Sequence, residues 1–318
     1  RFDGQLVRDM LSWLTPEQML LRVTAPEVET NEVTEYYPTE IRVFPLEPER
    51  LARFKRARQT VSTEVVMPSA NPFIRDPGEP LEQTRVATSD TRPRLVTSDT
   101  TTLAYVLPET RFSQPKSDLY VRLRTPLASN SPEARLLADL LAAAINEHFN
   151  TLSYDAALAG AGFSAQATQS GITLEFSGYH QSLLPLIDQV VSELPIPLID
   201  EGTWDRLANL KMQELAALDS TRPFNRLFDE MTAGLMPLAY PKTELKTAFM
   251  EIDRSVFHQY QTAFFSGLKA EMLLHGPVSV DEGAELLARI AGSLPLDPAT
   301  GEVVPTTTPW TQASELQF

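Results

Sequence analysis

Midway along the chain an adjacent glutamate and histidine stand in the stretch Ala143-Ala144-Ile145-Asn146-Glu147-His148-Phe149-Asn150. Glu-His is the second half of His-x-x-Glu-His, a helical motif in which two histidines one turn apart hold zinc and the glutamate acts as general base. The first histidine of such a motif would fall at position 144, which is Ala144. One ligand is therefore missing. Glu147 and His148, as neighbours, point about 100° apart around a helix and do not converge on one ion. The pair reads as a helix edge beside an apolar stripe.

The other chemistry-bearing residues are dispersed. His180, His258 and His275 complete the four histidines, and no two of the four are three or four residues apart. The sequence Ala-Gly-Ala-Gly-Phe-Ser-Ala at 159–165 precedes an expected strand instead of joining a strand to a helix, so it lacks the geometry of a phosphate-binding loop. There is no Gly-x-Ser-x-Gly elbow and no Walker A lysine pattern. Asp281-Glu282 reads as helix-start charge. The methionines are scattered singly, which reads as packing. The expected catalytic, cofactor-binding and metal-ligating sets in this chain are all empty.

Around these residues the apolar periodicity lays out the elements. Short helices are expected over Gln5–Leu14 and Glu47–Arg58, with a strand at Met19–Val23 and extended chain at Glu35–Phe44. From Pro68 to Thr102 five prolines interrupt regular structure and Thr-Ser-Asp-Thr occurs twice, at 88–91 and 97–100, which reads as a surface connection. Strands follow at Leu103–Leu107 and Asp118–Arg124. Ser131-Pro132-Glu133 starts a long helix with a cap, a proline and an acid in order. A short helix ends at Gly160 or Gly162, and two strands, Phe163–Thr168 and Ile172–Ser177, form a hairpin across Gln-Ser-Gly. Helices then run over Leu183–Leu194, Glu201–Leu218, Phe224–Leu235, Lys242–Phe249 and Ile252–Phe265. A strand at Leu268–Gly276 and a helix whose Ser279 and Glu282 have capping-box spacing complete the pattern. Strands and helices are segregated, not alternating, which predicts an α+β fold: an antiparallel sheet with helices packed on one face.

The chain has 318 residues, no cysteine and a net charge of −15. Such acidity repels polyanions and argues against nucleic acid as a partner. The lack of cysteine excludes disulfides and thiolate-bound zinc. No apolar run approaches the roughly 20 residues that span a bilayer, so no membrane partner is expected. The chain opens on Arg1 in mid-pattern, without a signal peptide, and reads as the middle of a longer protein.

Several stretches in order carry a resemblance. Thr-Glu-Tyr-Tyr-Pro-Thr-Glu-Ile at 34–41 resembles a Glu-x-Trp-Tyr-Gly-Thr-x-Tyr signature, with Tyr36 where tryptophan is usual and Pro38 where glycine is usual. The stretch Pro68–Ile74 resembles an Asn-x-Phe-Ile block. Residues 103–137 resemble a block with a Phe-x-x-Pro-Lys turn and a Ser-Pro helix start, and Tyr154–Gly160, Ser170–Ile187 and Leu273–Leu286 follow in the expected order. Together they resemble the middle segment of the insulinase/pitrilysin-type zinc metallopeptidases, over about residues 1 to 293.

The resemblance implies a protein of four related α+β units enclosing a chamber, with zinc held by the first unit. It implies that residues 1–66 are the end of the second unit, 67–102 a Pro-rich connection, 103–293 an inactive third unit and 294–318 a linker toward a fourth. The implied function is a non-catalytic, chamber-forming part of a zinc-dependent endopeptidase that degrades peptides. This chain itself would hold no cofactor, zinc belonging to the intact parent. Its partners would be peptide substrates, the N-terminal catalytic half and the C-terminal unit, in the periplasm by family resemblance or in the cytoplasm. If the acidity of the chain faces the chamber, it favours basic peptides. The alternatives are a scaffold segment of a catalytically inactive peptidase-like subunit and a stand-alone module that binds peptides at an exposed sheet edge.

Overall fold

The computed structural model describes residues 3–59, 69–74, 92–217, 222–236 and 238–301. The first Thr-Ser-Asp-Thr copy, Met67, Pro68, Leu218 and residues 302–318 of the expected linker lie outside the described residues. The chain divides into two compact units, residues 1–70 and 71–318.

In the first unit, helix α1 (Gly4–Ser12) starts on Asp3, whose carboxylate accepts the backbone N–H groups of Gln5 and Leu6. Strands β1 (Glu32–Val33) and β2 (Glu40–Ile41) pair antiparallel, and α2 (Pro48–Gln59) follows. Lys55 in α2 holds Glu17 at 2.6 Å. The expected strand at Met19–Val23 does not form. Its residues are exposed, and apolar β-propensity makes a strand only where a ladder partner is present. The apolar stripe of α1 is also uncovered: Leu6, Met10, Leu11 and Leu14 are all more than half exposed.

The second unit holds a six-stranded sheet in the order β3-β4-β8-β5-β7-β6. Its strands are β3 (Arg94–Ser98), β4 (Thr102–Pro108), β5 (Lys116–Arg124), β6 (Ala161–Thr168), β7 (Gly171–Tyr179) and β8 (Lys269–Gly276). The stretch read as a proline-broken connection therefore contains the edge strand β3. Pro93 lies just outside it, where no ladder donor is needed. The second Thr-Ser-Asp-Thr copy makes the β3–β4 turn, in which Asp99 accepts from the backbone N–H groups of Thr101 and Thr102 at 2.8 Å.

All strand pairs are antiparallel except β4 with β8. The exception follows from topology. β8 enters between β4 and β5, which run in opposite directions, so it must be parallel to one of them.

Side chains alternate across β4, β5 and β8 with period two. Ala104, Val106, Leu119, Val121, Leu123, Met272 and Leu274 form the buried face. Helices α3 (Pro132–His148), α4 (Asn150–Leu158), α5 (His180–Ser192) and α10 (Val280–Ser293) pack on the sheet. Helices α6 (Glu201–Ala216), α7 (Pro223–Leu235), α8 (Lys242–Phe249) and α9 (Arg254–Phe264) complete the unit. Helix α3 shows why the layer forms. Ser131 accepts the Ala134 N–H at 3.0 Å, Pro132 opens the first turn, and Leu136, Leu137, Leu140, Leu141, Ala144 and Ile145 are buried. Each buried leucine or isoleucine contributes about 1.5–3 kcal/mol of transfer free energy. In α6, Trp204, Leu207 and Leu215 are buried, whereas Leu210 faces out. Of the methionines read as packing, Met272 is buried, whereas Met10, Met212, Met231, Met236 and Met250 are exposed.

Two local features fix the sheet ends. Gly171 opens β7 at φ +150, where an added Cβ would come within 1.7 Å of the Leu123 carbonyl oxygen, so the β6–β7 turn sits directly against β5. Beyond α10, the first residues of the expected linker are tied to the sheet. The Leu268 N–H donates to Pro295, and the Asp297 N–H donates to the Leu268 carbonyl. Leu294 is buried.

Candidate functional site

The stretch with the Glu-His pair closes α3, and Asn146, Glu147 and His148 each have a structural partner. Ala144 is fully buried. His148 lies 3.3 Å from Glu193 and packs edge-on against Phe149. Glu147 pairs with Arg206 at 2.5 Å. The residue that does most is Asn146. Its amide donates to the Ala165 carbonyl and accepts the Ala165 N–H, both at 2.8 Å. β6 is an outer strand of the sheet, so Asn146 occupies backbone groups that an added strand would use, which is one way proteins blunt an edge. Arg135 reaches the Ala167 carbonyl further along the same edge. At the opposite edge, the β3–β4 register shifts between Leu95 and Thr97, an irregularity that also discourages pairing. At Ala165 and Ala167 the β6 edge is therefore not an open template for an added strand.

The remaining histidines lie apart. His258 Nε2 is 3.1 Å from the Ile199 carbonyl. His275 stands between Glu109 and Asp118, at 3.7 and 3.8 Å. His180 Nδ1 is 2.7 Å from Ser117 Oγ. Among the described residues, no group of three or more His, Cys, Asp or Glu is placed to hold a metal ion.

His180 lines a cavity of about 960 Å³ with Tyr179, Leu184, Glu282, Leu286 and Arg289 among its walls. A serine, a histidine and a glutamate at one end of a sheet invite comparison with a nucleophile and its base, but the geometry is structural. Ser117 is fully buried, and its Oγ fills the space where Gly276 has no Cβ; a methyl there would lie 2.0 Å from it. Glu282 is engaged in the capping box of α10, accepting the Ser279 N–H at 2.8 Å while Ser279 Oγ accepts its own N–H. Those hydrogen bonds hold its carboxyl below the ordinary range, and the nearby His180 adds to the effect.

The face of the sheet opposite the helices carries the densest set of functional groups. The strand registers arrange it in rows. Lys269 faces Arg124 at the end of β5 and β8. Leu103, Glu271, Arg122 and Thr173 form the next row. Tyr105, Leu273, Tyr120 and Glu175 form the third, and Leu107, His275, Asp118 and Ser177 the fourth. Glu271 lies 3.2 Å from Arg122 and 3.8 Å from Arg124, all three side chains being about one third exposed. The Nε atoms of Arg122 and Arg124 are buried and have no hydrogen-bond partner. Cations thus collect at one end of the face and Asp118 and Glu109 at the other, with a row of Tyr105, Leu273, Tyr120 and Glu175 between. Sequence reading missed this arrangement. The alternation Asp118, Tyr120, Arg122, Arg124 was visible, but its pairing with Lys269 and Glu271 required β8 to lie beside β5.

Comparison with known proteins agrees with this architecture. Residues 1–248 match the family model described as the middle or third domain of peptidase M16. The chain therefore belongs to the peptidase M16 family, the insulinase-type metallopeptidases. It is 22% identical over 295 residues to human insulin-degrading enzyme, covering 92% of this chain and 29% of that protein. It is also 22% identical to Protease 3 of Salmonella typhi, covering 90% of this chain and 29% of that one. A Schizosaccharomyces pombe relative, 23% identical over 288 residues, carries the words zinc protease in its name. The fold matches the crystal structure of pitrilysin with a TM-score of 0.69 at 19% identity, over 95% of this chain and 32% of that one. The chain spans less than a third of the length of these relatives.

Proposed function

We propose that this chain is a non-catalytic wall segment of a larger zinc-dependent endopeptidase acting on peptides. Ala144 carries the reading. It is fully buried at the position where His-x-x-Glu-His would need its first ligand, and Glu147 and His148 are engaged with Arg206 and Glu193. Zinc held by another unit of the longer protein would polarise the scissile carbonyl and a glutamate there would activate water. No residue of this chain takes part in that step. Its contribution is to enclose the substrate, with the N-terminal catalytic half and a C-terminal unit as its covalent partners.

The exposed apolar stripe of α1 supports the assignment of residues 1–66 to the end of a preceding unit, whose other elements would cover it. The open sheet face of the second unit is the surface we assign to the chamber side. It mixes Arg122, Arg124 and Lys269 with Glu271, Glu175 and Asp118, so the overall acidity of the chain is not concentrated there, and a general preference for basic peptides does not follow.

The test is made in the longer protein. Glu147→Gln and His148→Ala are expected to leave zinc content and turnover of a fluorogenic peptide unchanged. Loss of zinc, or of turnover in a variant that stays folded, overturns the proposal. A longer protein that holds no zinc and cleaves nothing assigns the segment to scaffolding instead.

A further inference from the structure

The cation end of the open sheet face is an incomplete ion-pair network. Arg122 and Arg124 share a single carboxylate, Glu271. Lys269, directly across from Arg124, has no ion-pair partner among the described residues. Three cations therefore face one anion, in a chain whose net charge is −15. Glu271 accepts an N–H of Arg122 at 3.2 Å and stands 3.8 Å from Arg124, beyond hydrogen-bond distance, while the Nε–H groups of both arginines have no acceptor. Guanidinium groups bind carboxylates through pairs of parallel N–H donors. The cluster thus already holds one carboxylate and has the charge and donors for a second.

Its surroundings narrow the ligand. Arg124 is the last residue of β5 and Lys269 the first of β8, so the cluster stands at the rim of the sheet. On its inner side lies the row Tyr105, Leu273 and Tyr120, in which Tyr120 is 43% exposed. Glu175 closes that row, and beyond it come Asp118 and Glu109 on either side of His275. Arg124 and Asp118 are six residues apart on β5, about 20 Å at strand rise. An extended chain lying along the face would rest apolar side chains on the aromatic row and end over the cations. The acids at the far end favour that direction over its reverse.

We infer that Arg122, Arg124 and Lys269 form a subsite for the free C-terminal carboxylate of a peptide, with an apolar last residue seated on Tyr105, Leu273 and Tyr120. The inference rests on the reading of this face as a peptide-facing wall, but it makes a binding claim that needs neither zinc nor cleavage.

The experiment titrates the 318-residue chain with an acetylated hexapeptide, five alanines ending in phenylalanine, as the free acid and as the amide. Low ionic strength limits screening. The acid is expected to bind about tenfold or more tighter than the amide, as hydrogen bonds to a charged group warrant. The pair Arg122→Gln and Arg124→Gln should abolish the difference. Lys269→Gln, which breaks no ion pair, should reduce it several-fold with an unchanged melting temperature. Equal binding of acid and amide overturns the inference, as does a difference that survives in the arginine and lysine variants. A glutamate-bearing amide that binds as well as the acid overturns the terminal assignment in favour of an acidic side chain. Inorganic phosphate binding where the peptide acid does not overturns it in favour of a phosphate site. Any of these results leaves the wall reading standing. Conversely, a zinc-free parent leaves the subsite standing.

Discussion

Asn146 offers the most direct check on how α3 protects the sheet. Replacing it with alanine removes two hydrogen bonds to Ala165, each 2.8 Å long. A typical intramolecular hydrogen bond contributes about 0.5–1.5 kcal/mol net, so the pair sets an upper figure of about 2–3 kcal/mol. Asn146 is itself exposed, and water can reach the freed backbone groups, so the full penalty of burying unsatisfied groups does not apply. The expected global loss is about 1–2 kcal/mol. The local signature is sharper. The Ala165 N–H passes from a held donor to an edge amide facing solvent, and its exchange with deuterium should accelerate by roughly 5- to 30-fold at that free-energy cost. Amides of β7 that pair inward, such as Phe176 against Leu119 of β5, should slow or quicken only with global stability. Hydrogen exchange resolved to single residues, beside a urea titration, reads both numbers. Unchanged Ala165 exchange would refute the argument that Asn146 closes this edge. So would a loss spread evenly over the sheet.

Three further outcomes follow from the same geometry. Ala144→His, which supplies the missing residue of His-x-x-Glu-His, should bind no zinc and should lower stability by about 1–3 kcal/mol, because the position is fully buried and overpacking displaces its neighbours; zinc titration with a denaturation curve checks it. Gly276→Ala should cost about 2–3 kcal/mol through the contact with Ser117, and adding Ser117→Gly should recover part of it, a coupling that a double-mutant cycle measures. Glu282 has a carboxyl held below its ordinary range by the capping box, so its contribution to stability is present above the unfolded-state value and is lost as pH falls through the lower folded value. The melting temperatures of the native protein and of Glu282→Gln should accordingly differ near neutrality and converge in acid.

Where local chemistry decides structure, the sequence was readable. Ser131-Pro132-Glu133 starts α3, Ser279 and Glu282 build the capping box of α10, and Gln169-Ser170 turns the β6–β7 hairpin, each by contacts within a few residues. Distant partners hid the rest. Nothing local marks Arg94–Ser98 as a strand until β4 is beside it, and nothing local unmakes Met19–Val23 except the lack of a neighbour. Residues 294–297 looked like linker because the group they bond, Leu268, lies at the start of another strand. The same holds for function. Ala144 and its neighbours argued against a metal from spacing alone, whereas the cation cluster joins Arg122 to Glu271, 149 residues later, and becomes visible only when β8 is inserted between β4 and β5. Asn146 was in view from the start, beside the Glu-His pair, but its partner on β6 gives it meaning.

The central claim is that this chain encloses substrate without supplying the catalytic metal. Equilibrating the 318-residue chain with equimolar zinc, removing free metal and measuring bound zinc by atomic emission tests it most directly. The account predicts zinc far below one ion per chain and no cleavage of a reporter peptide. One tightly held zinc per chain, lost together with peptide cleavage in His148→Ala, would contradict it.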